Sequence, residues 1–219
     1  MNRRKRSSQD KPRPNSGKNA TIIAIEGCVG AGKTTIAEGI AAFRASQLLL
    51  EDFAAVPFLK EFHRDPIGSA LETEFAFLLQ HYHQLRLAGR HDGEVVADFT
   101  FAKDLIFAEM NMTNIAERAI FQDLFRLLET RLPSVALTLF ISASDELILR
   151  RIRARARSFE VATEPEYYRR LNTAYETFFA KHPGNIINVG ADKLDFVADP
   201  SLFEWLSNEI DQRLDAQVA

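Results

Sequence analysis

Eight consecutive residues, Gly27-Cys28-Val29-Gly30-Ala31-Gly32-Lys33-Thr34, follow the pattern G-x-x-x-x-G-K-[ST] at every position. Their chemistry is that of a phosphate cradle. Glycines let successive backbone N–H groups close around an anion, and a helix N-terminus behind them adds a favourable field. In such a P-loop Lys33 reaches the β- and γ-phosphates of a triphosphate, and the Thr34 hydroxyl helps hold Mg²⁺. Contacts to ATP are expected from Gly27, Gly30, Ala31, Gly32, Lys33, Thr34 and Thr35. Cys28 reads as a small filler of the loop rather than a nucleophile.

A phosphoryl group held this way is passed to an acceptor, whose chemistry shows in the flanking residues. A hydroxyl acceptor benefits from a carboxylate base within hydrogen-bond reach, whereas a phosphate acceptor needs Arg or Lys around it. Glu51 and Asp52 close the apolar run "SQLLLED", and Asp98 closes "GEVVADF". Acids at two such positions repel an incoming phosphate and favour a neutral substrate with a hydroxyl. Glu51 is the expected general base; its plain alternative is a solvated acid or cap at a strand–helix junction. Asp98 is expected beside the substrate or, with Thr34, at the magnesium. The cluster "RRIRARAR" (150–157) follows an expected N-cap at Ser144 and should form a lid that brings Arg151, Arg155 and Arg157 onto the transferring phosphate. A solvated basic helix and a nucleic-acid contact are the competing readings of those arginines.

The elements that would position these groups alternate. Short apolar runs at 21–27, 46–52, 93–99, 134–142 and 185–190 are separated by helix-like segments at about 34–43, 67–90, 102–130, 145–157, 165–181 and 199–214. That alternation predicts an α/β protein with a P-loop NTPase/kinase fold, a five-stranded parallel sheet flanked by helices, and an Arg-rich lid. Ligands of open parallel sheets lie beyond the carboxyl ends of the strands, where Gly27, Glu51, Asp98 and Ser142 all fall. Hydrophobic residues at 46% and charged residues at 26% describe an ordinary soluble globular chain.

Residues 1–19 read as a disordered basic tail, and residues 20–219 as one kinase-like domain. Residues 1–18 carry seven bases and one acid, a charge of +6, leaving 20 bases and 29 acids, −9, for the body. An acidic body is a poor platform for nucleic acid. No apolar run approaches a membrane helix, and no secretory core opens the chain, so membrane partners are not expected. The lone cysteine suits a reducing cytoplasm.

Read in order, these segments resemble the deoxynucleoside kinase family, and within it the bacterial deoxyadenosine/deoxyguanosine kinase branch. The similarity spans most of the chain after Thr21: "IEGCVGAGKTT", "EDFAAVPFLKEFHRDP", "ALETEFAFLL", "VVADFTFAKDLIFA", "RIRARARSFE" and "NIINVGADKLDFV". The resemblance implies a homodimeric enzyme that phosphorylates the 5′-hydroxyl of a small-molecule deoxynucleoside. It assigns Glu51 to the base and Asp98 to the acid that orients the 5′ end and the magnesium. Glu160 falls to the sugar 3′-hydroxyl, Phe58 and Phe107 to the walls of the base slot, and Glu74 to the base edge.

Three positions depart from the family pattern. Phe99, expected beside the substrate, stands where many members have Arg after the strand-three acid, with Lys103 a helical turn on as a substitute charge. His63 replaces a Tyr expected against the 3′-hydroxyl, and His81 replaces an Arg common in this branch. A thymidylate-type monophosphate kinase shares the loop, the fold and the lid. A nucleotide-binding module without turnover is the remaining alternative.

Overall fold

The computed structural model describes residues 20–157, 160, 163–182 and 184–218, with His63 and Val218 described in backbone only. The basic tail expected over residues 1–19 lies outside the described residues. Five strands, β1 (Thr21–Glu26), β2 (Gln47–Leu49), β3 (Glu94–Ala97), β4 (Val135–Ser142) and β5 (Ile186–Gly190), form one parallel sheet. The order across it is β2-β3-β1-β4-β5. The central strand β1 consists of β-branched and small residues, and Ile22, Ile23, Ala24 and Ile25 have no solvent exposure. Alternation sends them to opposite faces. Ile23 and Ile25 enter a core with Ile36, Ile40, Tyr175, Leu206 and Ile210, while Ile22 meets Ala88 and Val95. Each such buried aliphatic side chain stabilises the sheet by about 1.5–3 kcal/mol.

The helices are α1 (Lys33–Arg44), α2 (Leu59–Arg64), α3 (Ala70–Ala88), α4 (Lys103–Asn111), α5 (Ile115–Glu129), α6 (Asp145–Arg155), α7 (Pro165–Lys181) and α8 (Leu202–Val218). A second core, with Leu78, Phe99, Phe101, Phe121 and Phe125, joins α3 and α5 to the chain after β3.

Two sequence-based expectations change here. The segment 102–130 is two helices: Met112 turns extended, and the Asn114 side chain caps α5 by accepting from the Ala116 and Glu117 N–H groups. The stretch after Glu51, which lies outside the helix-like segments read from the sequence, holds a 3₁₀ turn at Phe53–Ala55 and the short helix α2. The strands are also shorter than the apolar runs, so Glu51 and Asp98 lie just past β2 and β3 rather than inside them. The displacement matters, because a residue past the strand end faces the ligand crevice. Asp98 N–H bonds back to the Leu49 carbonyl at 3.1 Å and holds the two strand ends side by side.

Candidate active site

A cavity of about 840 Å³ opens beyond the strand ends, lined by the P-loop, Glu51, Asp98 and residues of α3, α4, α6 and α7. Gly27 begins the loop at φ 150°, where an added Cβ would come within 2.5 Å of the Ile141 carbonyl oxygen. Only glycine lets β1 turn so close to β4. Val29 to Ile36 line the cavity, so Gly30, Ala31, Gly32, Lys33, Thr34 and Thr35 are all at its wall; Gly27 lies behind them. Lys33 Nζ donates to the Gly27 and Cys28 carbonyls at 2.7 and 3.2 Å, which folds its amine over the loop. Burial, joined by the charge of Lys103, lowers its pKa, with Glu26 and Glu51 opposing. Burial pushes the Cys28 thiol up to about 12, which removes it from nucleophilic chemistry.

The Thr34 hydroxyl donates to Asp98 Oδ2 at 2.8 Å, and the Glu51 N–H donates to Asp98 Oδ1 at 2.7 Å. Asp98 therefore ties the loop to Glu51. Two hard oxygen groups beside a phosphate cradle match the donor set of Mg²⁺, which takes few protein ligands and completes its shell with water and phosphate. Among the described residues no cluster of three or more His, Cys, Asp or Glu offers a fuller metal cage.

Glu51 is held by two cations. Lys103 Nζ donates to both carboxylate oxygens at 2.7 Å, and His81 Nε2 lies 3.1 Å from Oε1. Burial pushes Glu51 up, but Lys103 and His81 outweigh it and hold the carboxyl well below its usual range. Glu51 is thus ionised, with both oxygens accepting from Lys103. His81 has no exposure, and its other nitrogen, Nδ1, lies 2.8 Å from Asp104 Oδ1. Burial opposes its charge, yet Asp104 and Glu51 raise it to about 9. Behind this group Glu26, fully buried at the end of β1, accepts from Thr100 N–H at 2.6 Å and Thr100 Oγ1 at 2.9 Å.

Arg151, Arg155 and Arg157 line the cavity; Arg150 and Arg153 are not among its lining residues. Ser144 caps α6 by accepting from Leu147 N–H at 3.3 Å, and Arg151 and Arg155, four residues apart, share one face of that helix. Arg151 Nη1 donates to the Ala31 carbonyl at 2.7 Å. Ala156 turns the chain left-handed at φ 54°, and Arg157 comes to rest 4.4 Å over the Phe53 ring. Glu160, buried, accepts from Arg155 at 2.7 Å and from Arg157 at 3.3 Å.

At the far end stand Glu74, Phe77, Asp104, Phe107, Asn111 and Tyr167. Asn111 Nδ2 donates to Glu74 Oε1 at 2.8 Å and the Tyr167 hydroxyl donates to Asn111 Oδ1 at 3.3 Å. Burial raises Glu74 to about 8, with Asn111 only partly opposing, so it stands as a neutral acid at pH 7.

Two assigned substrate residues are placed elsewhere. Phe58 is 39% exposed at the start of α2 and is not a cavity residue; the phenylalanines that line the cavity are Phe53, Phe62, Phe77, Phe107 and Phe196, with Tyr167, Tyr168 and Tyr175 beside them. Phe99 has no exposure and packs its ring 4.6 Å from that of His81, behind the wall. Alternation explains this, because Asp98 faces the crevice and its neighbour must face the core. The side chain of His63 lies outside the described residues. Sequence reasoning missed Asp104, Asn111, Tyr167 and Glu26. A signal existed for two of them: Asp104, Phe107 and Asn111 recur at helical spacing on the cavity face of α4.

Residues 23–215 match the deoxynucleoside kinase family. A deoxyguanosine kinase of Bacillus subtilis (strain 168) is 30% identical over 200 residues, covering 87% of this chain and 96% of the relative. A deoxyadenosine kinase of Lactobacillus acidophilus is 28% identical over 212 residues, covering 88% and 96%. Among solved structures, deoxyadenosine kinase from M. mycoides with bound dATP superposes with a TM-score of 0.78 at 24% identity, over 87% of this chain and all of that one. With the phosphate loop, the strand-end acids and the arginine wall gathered on one cavity, and with the match running through nearly all of its sheet, the chain belongs to the deoxynucleoside kinase family.

Proposed function

We propose that this cavity transfers the γ-phosphoryl group of ATP to the 5′-hydroxyl of a deoxynucleoside, with Glu51 as general base. The observation that carries the reading is Glu51 itself, an ionised carboxylate on the wall that also bears the P-loop, whose cationic partners among the described residues are Lys103 and His81 rather than an arginine. The hydroxyl proton passes to Glu51, the 5′ oxygen bonds to the γ-phosphorus, and the bond to the β–γ bridging oxygen breaks to release ADP. Lys33, Arg151, Arg155 and Arg157 neutralise charge on the transferring group. Thr34 and Asp98 would hold Mg²⁺, which shields phosphate charge when bound. Glu74, Phe107 and Asp104 would face the nucleobase, and Glu160 the sugar.

Labelled ATP and Mg²⁺ offered with each of the four deoxynucleosides, beside its monophosphate, test the reading. Transfer to a deoxynucleoside is expected, and Glu51→Gln should lower kcat by about 10²–10⁴-fold. Transfer to monophosphates alone, or full activity in the variant, would sink it. We also infer a homodimer, supported by the exposed apolar residues Leu79 and Leu87 on α3 and Ile120 and Leu127 on α5. The buried lone thiol of Cys28 accords with a reducing cytoplasm.

A further inference from the structure

His81 is the side chain that the reaction above leaves unused although it joins both ends of the cavity. Its ring has no exposure, and it lies between two carboxylates, 3.1 Å from Glu51 Oε1 and 2.8 Å from Asp104 Oδ1. Ionised carboxylate oxygens only accept, so each ring nitrogen meets its partner best as an N–H. Phe77 and Phe99 flank the ring at 5.6 and 4.6 Å between centroids and fix its plane. The other oxygen of Asp104, Oδ2, is buried with no hydrogen-bond partner among the described residues, and Asp104 lines the cavity. A buried carboxylate oxygen left open in this way is costly unless an occupant satisfies it. The matching occupant is the edge of a nucleobase that carries an N–H donor.

We propose that His81 is a positioning residue for the transfer: held as a doubly protonated cation, its ring clamps Glu51 to Asp104, so that filling the base end of the cavity sets the geometry of the general base. Its kinetic part rests on the phosphotransfer reading; its electrostatic part does not. The charged groups around the ring are Glu51 after β2, Lys103 and Asp104 on α4, and Glu74 on its own helix. Glu51 and Asp104 favour the cation, Lys103 opposes it, and Glu74 contributes little while it keeps its proton. The value of about 9 for the ring accords with this balance. Burial and the charge of Glu51 raise the Asp104 carboxyl, with the ring at 2.8 Å and Lys103 opposing them in part, and the clamp requires the proton of the pair to sit on the imidazole.

Two measurements on the full chain decide the matter. In ¹⁵N-histidine NMR at pH 7.5 both ring nitrogens of His81 should carry hydrogen, and Asp104→Asn should lower the pH of ring deprotonation by about one unit or more. A singly protonated ring, or a transition that Asp104→Asn leaves in place, would overturn the clamp whatever the enzyme's activity. In steady-state kinetics His81→Gln should lower kcat by about tenfold or more, with a smaller change in KM. Asp104→Asn should lower kcat by a smaller factor in His81→Gln than in the parent chain, the non-additivity expected of one linked unit. Additive losses, or a change in KM alone, would reduce His81 to packing. No transfer by the parent chain to any deoxynucleoside would overturn the phosphotransfer reading and the kinetic role with it, while the NMR result on the clamp still stands or falls by itself.

Discussion

Glu74 keeps its proton where Glu51 loses it, although both are carboxyls of one cavity. Partners make the difference: Glu51 meets Lys103 and His81, whereas the hydrogen-bond partner of Glu74 among the described residues is the amide of Asn111, and burial, helped by the charge of Asp104, wins. The folded chain therefore holds a proton on Glu74 from about pH 4.5 to about 8 that the unfolded chain has released. Stability from this group is complete below pH 4.5 and falls by about 1.4 kcal/mol per unit as pH rises toward 8. Urea unfolding of Glu74→Gln between pH 5 and 8 should show a shallower loss than the parent chain, because an amide keeps the bond from Asn111 without titrating. Equal slopes would mean that Glu74 is ionised in the folded state. At this scale the motif residues were legible because their chemistry is local: Lys33, Thr34, Glu51 and Asp98 announce themselves by type and spacing. Phe58 and Phe99 were misplaced because an aromatic residue carries no local sign of whether it faces a slot, a core or solvent.

Two helices carry the far end of the cavity with the same spacing. Glu74, Phe77 and His81 on α3 recur at i, i+3 and i+7, as do Asp104, Phe107 and Asn111 on α4, and the hydrogen bonds pair them in antiparallel order, Glu74 with Asn111 and His81 with Asp104. The stripes were legible as helix faces, but their pairing was not, because it depends on α4 ending at Asn111 rather than running on to 130. That break is fixed by local chemistry that reads as part of a helix in a longer window. Asn114 followed by Glu117 is a capping pattern, and the Asn114 Oδ1 accepts from Ala116 N–H at 3.0 Å. Asn114→Ala should therefore lower stability by about 1 kcal/mol in denaturant unfolding and leave kcat unchanged. At the opposite edge α1 and α8 touch at Gly39, where an added Cβ would fall 2.1 Å from the Phe203 ring. Gly39→Ala should cost about 1–3 kcal/mol through overpacking, despite alanine's better helix propensity. A gain in stability would show that the ring moves aside freely.

The strand order β2-β3-β1-β4-β5 places β2 and β3, which carry Glu51 and Asp98, to one side of β1, and β4, which feeds the arginines of α6, to the other. The cavity must therefore lie across the end of β1, where the phosphate loop stands, and that much followed from the alternation of runs in the sequence. What covers the outside of α3 and α5 did not follow, because burial within one chain cannot explain apolar residues that remain in water. Ile120 and Leu127, seven residues apart on α5, keep one direction at 62% and 53% exposure, and Leu79 and Leu87 keep comparable exposure on the neighbouring α3. A stripe of this kind over two packed helices suits a second copy of the same surface related by a two-fold axis. Sedimentation at micromolar concentration should give twice the 24.7 kDa chain mass. The double variant Ile120→Glu, Leu127→Glu should sediment as a folded monomer, since like charges would face each other across the axis and four apolar side chains would leave the interface. A parent chain that stays monomeric at tens of micromolar would overturn the dimer. A variant that stays dimeric would move the interface to another face.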